Sequence, residues 1–264
     1  MLKPLGLFAA AVVVASFAMP IGMAMAGPIA QAGPQFDTPG GPTNHISGAA
    51  LLFYNWAGYA ASGANGSVTK VTGSWVEPSA TCTSSTSMAA FWVGIDGLNS
   101  STVEQVGTIV ECVGGVASYY SWWEMYPLNN IQLVGSVSPG DHITASVTHT
   151  HSGSYKLVLN DLTSSSGFTT TQSQSGTSQS SAECIVEAPS GANTASGLYL
   201  LADFGKLHFS NCAATISGTT SALGGFSTVD SLTMVHYWDA SHDLATVSAM
   251  TANKAFTVVW HHPK

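Results

Sequence analysis

Gln105 and Glu183 are the two side chains in this sequence whose types fit together as a chemical pair. Gln105 stands in Val103-Glu104-Gln105-Val106-Gly107, a run with strand alternation, so it shares a face with Val103 and Gly107 while Glu104 takes the other. A glycine two residues along that face leaves the amide uncrowded, so that something can approach the backbone there. The partner lies far along the chain, in Ala182-Glu183-Cys184-Ile185-Val186-Glu187. A carboxyl can take and return a proton, and a neutral amide keeps an N–H donor at every pH. Together they supply an acid–base group and a donor for a developing oxyanion. Glu187 is the rival for the carboxyl's part: it shares a strand face with Glu183 and is expected to raise the pKa of one of the two.

These side chains need strands to hold them. Phe91 to Ile95 is apolar and β-branched, Asp96-Gly97 is turn chemistry, and Thr102 to Val110 resumes the strand pattern. The same reading makes strands of Leu51–Tyr59, Val68–Val76, Ala117–Met125, Ile131–Val134, His142–His149, Lys156–Asp161, Ala182–Glu187, Lys206–Phe209, Leu232–His236 and Ala255–Trp260. A hairpin or long surface loop is expected over Ser164–Ser181, and a short helix within Ser196–Phe204. No run sustains helical spacing. So many short strands with polar turns predict an all-β chain, a two-sheet sandwich or barrel.

Charged residues make up 8% of the 264-residue chain, with 6 Lys and Arg against 14 Asp and Glu, which excludes a nucleic-acid surface. A hydrophobic content of 45% excludes disorder. A surface so poor in charge is covered by small polar residues and suits acid, where carboxylates that support a fold would be protonated. Residues 1–26 read as a signal peptide: Lys3, an apolar run from Leu5 to Phe17, and Ala24-Met25-Ala26 before Gly27. Residues 27–48 read as a Pro/Gly-rich leader or pro-segment, and 49–264 as one domain. The product is expected to be secreted, extracellular and monomeric, with no membrane association once the signal is cleaved. Export makes disulfides of the four cysteines: Cys82 and Cys112 flank the central hairpin, Cys184 with Cys212 would be the second bridge, and spacing leaves other pairings open. His149 and His151 share a strand face and His261-His262 sit at the tail, but no acid or cysteine stands beside them, so neither a metal nor another cofactor is expected.

From residue 55 onward the order of motifs resembles the glutamic peptidases, the eqolisin family. The matching segments are Asn55-Trp56-Ala57-Gly58, Val71-Thr72-Gly73-Ser74-Trp75-Val76-Glu77-Pro78, Trp92-Val93-Gly94-Ile95-Asp96-Gly97 with Gln105-x-Gly107, and Tyr120-Ser121-Trp122-Trp123-Glu124-Met125-Tyr126-Pro127. Ala182 to Glu187, Leu201-Ala202-Asp203-Phe204-Gly205 and Phe256 to Trp260 complete the series. The resemblance implies a sandwich of two curved antiparallel sheets, of the concanavalin-like or jelly-roll type, and an acid-acting, pepstatin-insensitive endopeptidase taking protein or peptide substrates. It carries the catalytic pair onto Gln105 and Glu183, and places Trp92, Asp96, Trp122 and Glu124 in or beside the cleft. The chain departs from the family at Cys184, where Trp is usual, and at Glu104, where an apolar residue is usual.

On that reading an ionised Glu183 activates a water shared with Gln105, whose NH₂ then holds the oxyanion. Two other readings fit the same residues. Glu124 and Glu183 could be the paired carboxylates of a secreted β-sandwich glycosidase. The aromatic side chains could instead be the platform of a non-catalytic, lectin-like domain.

Overall fold

The computed structural model describes residues 50–98, 100–190 and 197–262. The expected signal peptide and leader lie outside the described residues. Seventeen strands account for nearly all the regular structure: β1 (Leu51–Phe53), β2 (Trp56–Ser62), β3 (Val68–Val76), β4 (Ser87–Ile95), β5 (Val103–Val113), β6 (Val116–Tyr126), β7 (Gln132–Ser136), β8 (His142–His151) and β9 (Ser154–Asp161), followed by β10 (Ser166–Ser173), β11 (Ser181–Glu187), β12 (Leu200–Leu201), β13 (Lys206–Ile216), β14 (Thr219–Ala222), β15 (Val229–His236), β16 (Asp239–Val247) and β17 (Phe256–Trp260). Among the described residues there is no α-helix, only a 3₁₀ turn at Leu223–Gly225.

Neighbouring strands pair mostly antiparallel in the order β7-β6-β5-β4-β11-β2-β15-β16-β17-β13-β3-β8-β9-β10. The ribbon doubles over on itself at β15 and β16, where the register shifts twice. Alternation then sorts side chains between two faces. Phe91, Val93, Val106, Val110 and Val186 point inward and share one core with Val71, Trp75, Val147, Leu157 and Phe209 of the opposite layer. The outer face of the β5-β4-β11-β2 layer carries a second apolar group, built on Trp56, Trp92, Trp122, Ile109 and Ile185.

Three expectations need correction. The first strand is broken at Tyr54-Asn55, so Leu51–Phe53 lies parallel to β15 as a separate element. No helix forms over the described residues 197–204, where Leu200–Leu201 instead adds a short parallel strand to β4. Cys82 and Cys112 are bridged, but Cys184 and Cys212 are free thiols. Those two sulfurs nevertheless meet across the layers, 3.3 and 3.7 Å from where a side chain on Gly73 would begin.

Candidate active site

Register sets one residue from each of six strands in a line: Asp230 of β15, Ala60 of β2, Glu183 of β11, Gly94 of β4, Gln105 of β5 and Glu124 of β6. Their chain neighbours Ala61, Ala182, Val93 and Val106 belong to the sandwich core, so this line lies on the other face. Gln105 and Glu183 are each directly opposite Gly94. Two strand spacings put their backbones ~10 Å apart, with no intervening side chain at Gly94. Residues separated by 78 positions in sequence are thus placed side by side by three strands.

Gln105 donates through Nε2 to Glu124 Oε2 at 2.8 Å. Several buried atoms beside that bond have no partner: Gln105 Oε1, Glu124 Oε1, both oxygens of Glu183, and Trp122 Nε1. A buried polar atom left unpaired costs about 1–3 kcal/mol, and the row itself carries such atoms on Gln105, Glu124 and Glu183. Burial pushes the Glu183 carboxyl well above the usual range, and the charges of Asp96 and Glu104 add to the effect. The Ser181 hydroxyl and the Leu98 amide, near Glu183 but outside bonding geometry, offset it only in part. Glu124 is likewise raised by burial and by the charge of Glu187, against the Gln105 bond. In acid both carboxyls hold their protons.

The space expected above Gly107 is filled. A side chain there would strike the Phe91 carbonyl and lie 2.6 Å from Trp92 Cβ, so this glycine serves the close approach of β4 and β5 rather than access to Gln105. The Trp92 indole instead leans over Gly94, with a ring carbon 2.7 Å from where a Cβ would sit. Trp92 therefore lies directly over the gap between Gln105 and Glu183. Its Nε1 donates to Glu187 Oε2 at 2.8 Å, and Asn55 Nδ2 donates to Glu187 Oε1 at 3.3 Å. Glu187 is not the near neighbour of Glu183 that alternation suggested: four residues of strand separate them by ~13 Å. Burial raises its carboxyl to about 8, against the hydrogen bonds from Trp92 and Asn55 and the nearby, unbonded Trp56 indole N–H. Trp122 is buried on the same face, opposite Gly107.

Asp96 is in the neighbourhood but is not open to a ligand. Its Oδ2 accepts from the backbone N–H groups of Ser178 (2.8 Å) and Gln179 (2.7 Å), and its Oδ1 from that of Ser180 (2.9 Å). Its own N–H donates to Ser181 O at 3.0 Å. It thus ties the β4–β5 turn to the chain entering β11, two residues before Glu183. Asp96→Ala is expected to cost about 3 kcal/mol or more by leaving three backbone donors unpaired. Thermal unfolding should read this as a fall of roughly 6–12 °C.

The chain matches the Peptidase A4 family over residues 54–260. It belongs to that family. The match takes in both segments that carry the row. Aspergillopepsin-2 of Aspergillus niger is 32% identical over 190 residues, 63% of this chain and 66% of that relative. Aspergilloglutamic peptidase from Aspergillus niger aligns in structure with a TM-score of 0.57 and 28% identity, covering 66% of this chain and 99% of that one. Scytalido-glutamic peptidase, solved with a peptide-based transition state analog, shares the fold at a TM-score of 0.67 and 24% identity, over 79% of this chain and 98% of that one. As a Peptidase A4 member the chain is a peptide hydrolase. Sequence reasoning anticipated Gln105, Glu183 and Glu124; it did not see that Gly94 would be their spacer or that Asp230 would join their line. Asp230 could have been found only with the β2–β15 pairing in hand.

Proposed function

We propose that this chain is a secreted, acid-acting glutamic endopeptidase in which Glu183 moves the protons and Gln105 holds the oxyanion. The observation that supports the reading is the row itself, where an unpartnered carboxyl and a carboxamide both stand opposite Gly94, with the Trp92 indole over the gap between them. Burial favours a different order of steps from the one the sequence suggests. Because Glu183 keeps its proton in acid, it passes that proton to the scissile carbonyl oxygen as charge develops there under the hydrogen bond from Gln105, while its second oxygen takes one from the attacking water. The tetrahedral adduct forms with Glu183 neutral again. On collapse Glu183 protonates the leaving nitrogen and recovers a proton from the adduct's hydroxyl. Glu124, also protonated, can donate to Gln105 Oε1, which turns the amide NH₂ toward the substrate oxygen.

The glycosidase reading is disfavoured by partnership. Gln105 stands between Glu124 and Glu183 in the row and donates to Glu124, so the two carboxyls do not face one another across an open gap. Export follows from residues 1–26, and the mature enzyme acts as a monomer on proteins or peptides without a metal or cofactor. Digestion of denatured casein or haemoglobin at about pH 3.5, undiminished by pepstatin, is the expected result; activity confined to pH 7 would overturn it. Gln105→Ala is expected to lower kcat by about 10²–10³, the usual effect of losing one oxyanion donor, with an unaltered melting curve.

A further inference from the structure

The tail histidines meet partners that the sequence did not place beside them. His236 ends β15, His242 lies on β16, and His261-His262 follow β17. The rings of His236 and His242 are 6.3 Å apart, and His242 donates through Nε2 to the His262 carbonyl oxygen at 3.1 Å. The His262 ring lies 5.8 Å from that of Trp260, and His261 Nε2 meets Thr246 Oγ1 of β16 at 2.7 Å. One corner thus gathers four of the 9 histidines in a chain with only 6 Lys and Arg. The charged groups around it are Asp239 and Asp243 of β16 and Lys206, which lies opposite Val259 on β13. The Ser241 hydroxyl and amide both donate to Asp239 and lower its pKa, so this acid keeps its charge as pH falls. The phenols of Tyr54 and Tyr237 bring no charge. At the tip of the β15–β16 hairpin Trp238 is 67% exposed, more than any other large apolar side chain among the described residues. The rings of Tyr54, Tyr237 and Trp238 meet edge to face in series, at 5.2 and 4.6 Å, and so brace the indole.

We infer that this corner is an acid-dependent docking surface for a sulfated polysaccharide. It stands apart from the peptidase reading: Asp230, the residue of β15 that lies in the row, is about 20 Å along the strand from His236. Imidazoles take up protons as pH falls below about 6.5, so the corner turns cationic in acid, with Asp239 and Asp243 offsetting part of the charge. The bond from His242 to a carbonyl uses an N–H that the ring keeps when charged. His236 accepts the Trp238 amide through Nδ1 at 3.1 Å, and proton uptake there trades that bond for a positive charge beside the indole. The partner must stay anionic where the histidines are charged. A sulfate ester does so throughout the acid range, whereas carboxyl groups are largely protonated below about pH 3.5. The exposed indole offers its apolar face to the C–H face of a pyranose ring. Duplex DNA, with one charge per ~1.7 Å, asks for a longer track of cations than one hairpin tip supplies.

The test measures Kd for dextran sulfate at about pH 4.5 and at pH 7 in the same moderate salt, with uncharged dextran and duplex DNA as companions. Dextran sulfate is expected to bind about tenfold or more tighter at pH 4.5 than at pH 7, dextran not at all, and DNA far more weakly. His236→Asn combined with His242→Asn should abolish most of the gain in acid. Trp238→Ala should weaken binding at pH 4.5 by about three- to tenfold, the effect of one aromatic contact. His142→Asn combined with His208→Asn removes as many histidines from exposed positions on β8 and β13, and should bind as the wild type does. Melting curves at both pH values separate loss of fold from loss of binding. Equal affinity at the two pH values, or an equal loss in the His142 and His208 variant, overturns the surface and leaves diffuse net charge in its place. Binding to DNA as tight as to dextran sulfate overturns the choice of partner. Casein hydrolysis is followed in each variant and should not change, so failure of binding leaves the peptidase reading untouched.

Discussion

Glu183→Gln is expected to lower kcat on a denatured protein at about pH 3.5 by roughly 10²–10⁴, the range lost with a general acid–base group, while Glu187→Gln lowers it less than about tenfold. Both glutamates lie on one face of β11, both are fully buried, and burial raises both carboxyls, so neither sequence position nor acidity tells them apart. Partners do. Glu187 is committed to Trp92 and Asn55, and a glutamine can still accept from the Trp92 indole through Oε1. Its task is to hold the ring that overhangs Gly94, so its loss should move KM more than kcat. Glu183 has two oxygens with no partner and faces Gln105 across a glycine. Its amide can neither give nor recover an acidic proton. Should Glu187→Gln be the dead variant and Glu183→Gln the active one, the assignment of the row is wrong.

The strands were legible because each carries its own signal: alternation, β-branched residues and polar turns are local. Val68–Val76 was read to the residue, and Gln105 and Glu183 were placed on their faces by alternation alone. Partnership between strands was not legible. Nothing within β15 says that Asp230 will align with Ala60, because register depends on how the ribbon folds over at β16, a strand that broke its alternation enough to be missed. Asp96 shows the same limit from another side. The family resemblance implied a place in or beside the cleft, but three backbone amides from residues 178–180 occupy its carboxylate. Glu104, the departure from the family pattern, lies buried with both oxygens unpartnered, toward the sandwich core, where it adds to the electrostatic pressure on Glu183. Composition pointed to acid through an uncharged surface. The buried carboxyls supply a second argument for acid, independent of the surface.

Thermal stability should be greatest at or below about pH 4.5 and fall steadily as pH rises to 8. Glu77 and Glu187 are fully buried, and burial lifts each carboxyl from its ordinary value near 4.5 to about 8. In Glu77 the Thr108 and Trp75 bonds resist the shift and the charge of Asp141 adds to it. A group that holds its proton more tightly when folded stabilises the fold fully below the unfolded pKa, and that contribution is lost as pH climbs toward the folded pKa. Between pH 4.5 and 8 each group therefore withdraws about 1.4 kcal/mol per pH unit, about 5 kcal/mol over the window. The two together approach the whole stability of an ordinary domain, about 5–15 kcal/mol. Glu104, Glu124 and Glu183 act in the same direction, each raised first by burial. None of these carboxyls has a cation among the groups that shift it, so only neutral hydrogen-bond donors oppose the effect of burial. In the inactive Glu183→Gln protein, which cannot digest itself, the melting midpoint should drop by about 20–40 °C from pH 4 to pH 8. Glu77→Gln should flatten that slope by about 1.4 kcal/mol per pH unit, because an amide has no proton to lose. A midpoint that is level or rises across this window would mean that these carboxyls reach water in the native state, and the case for an acid-adapted interior would fail.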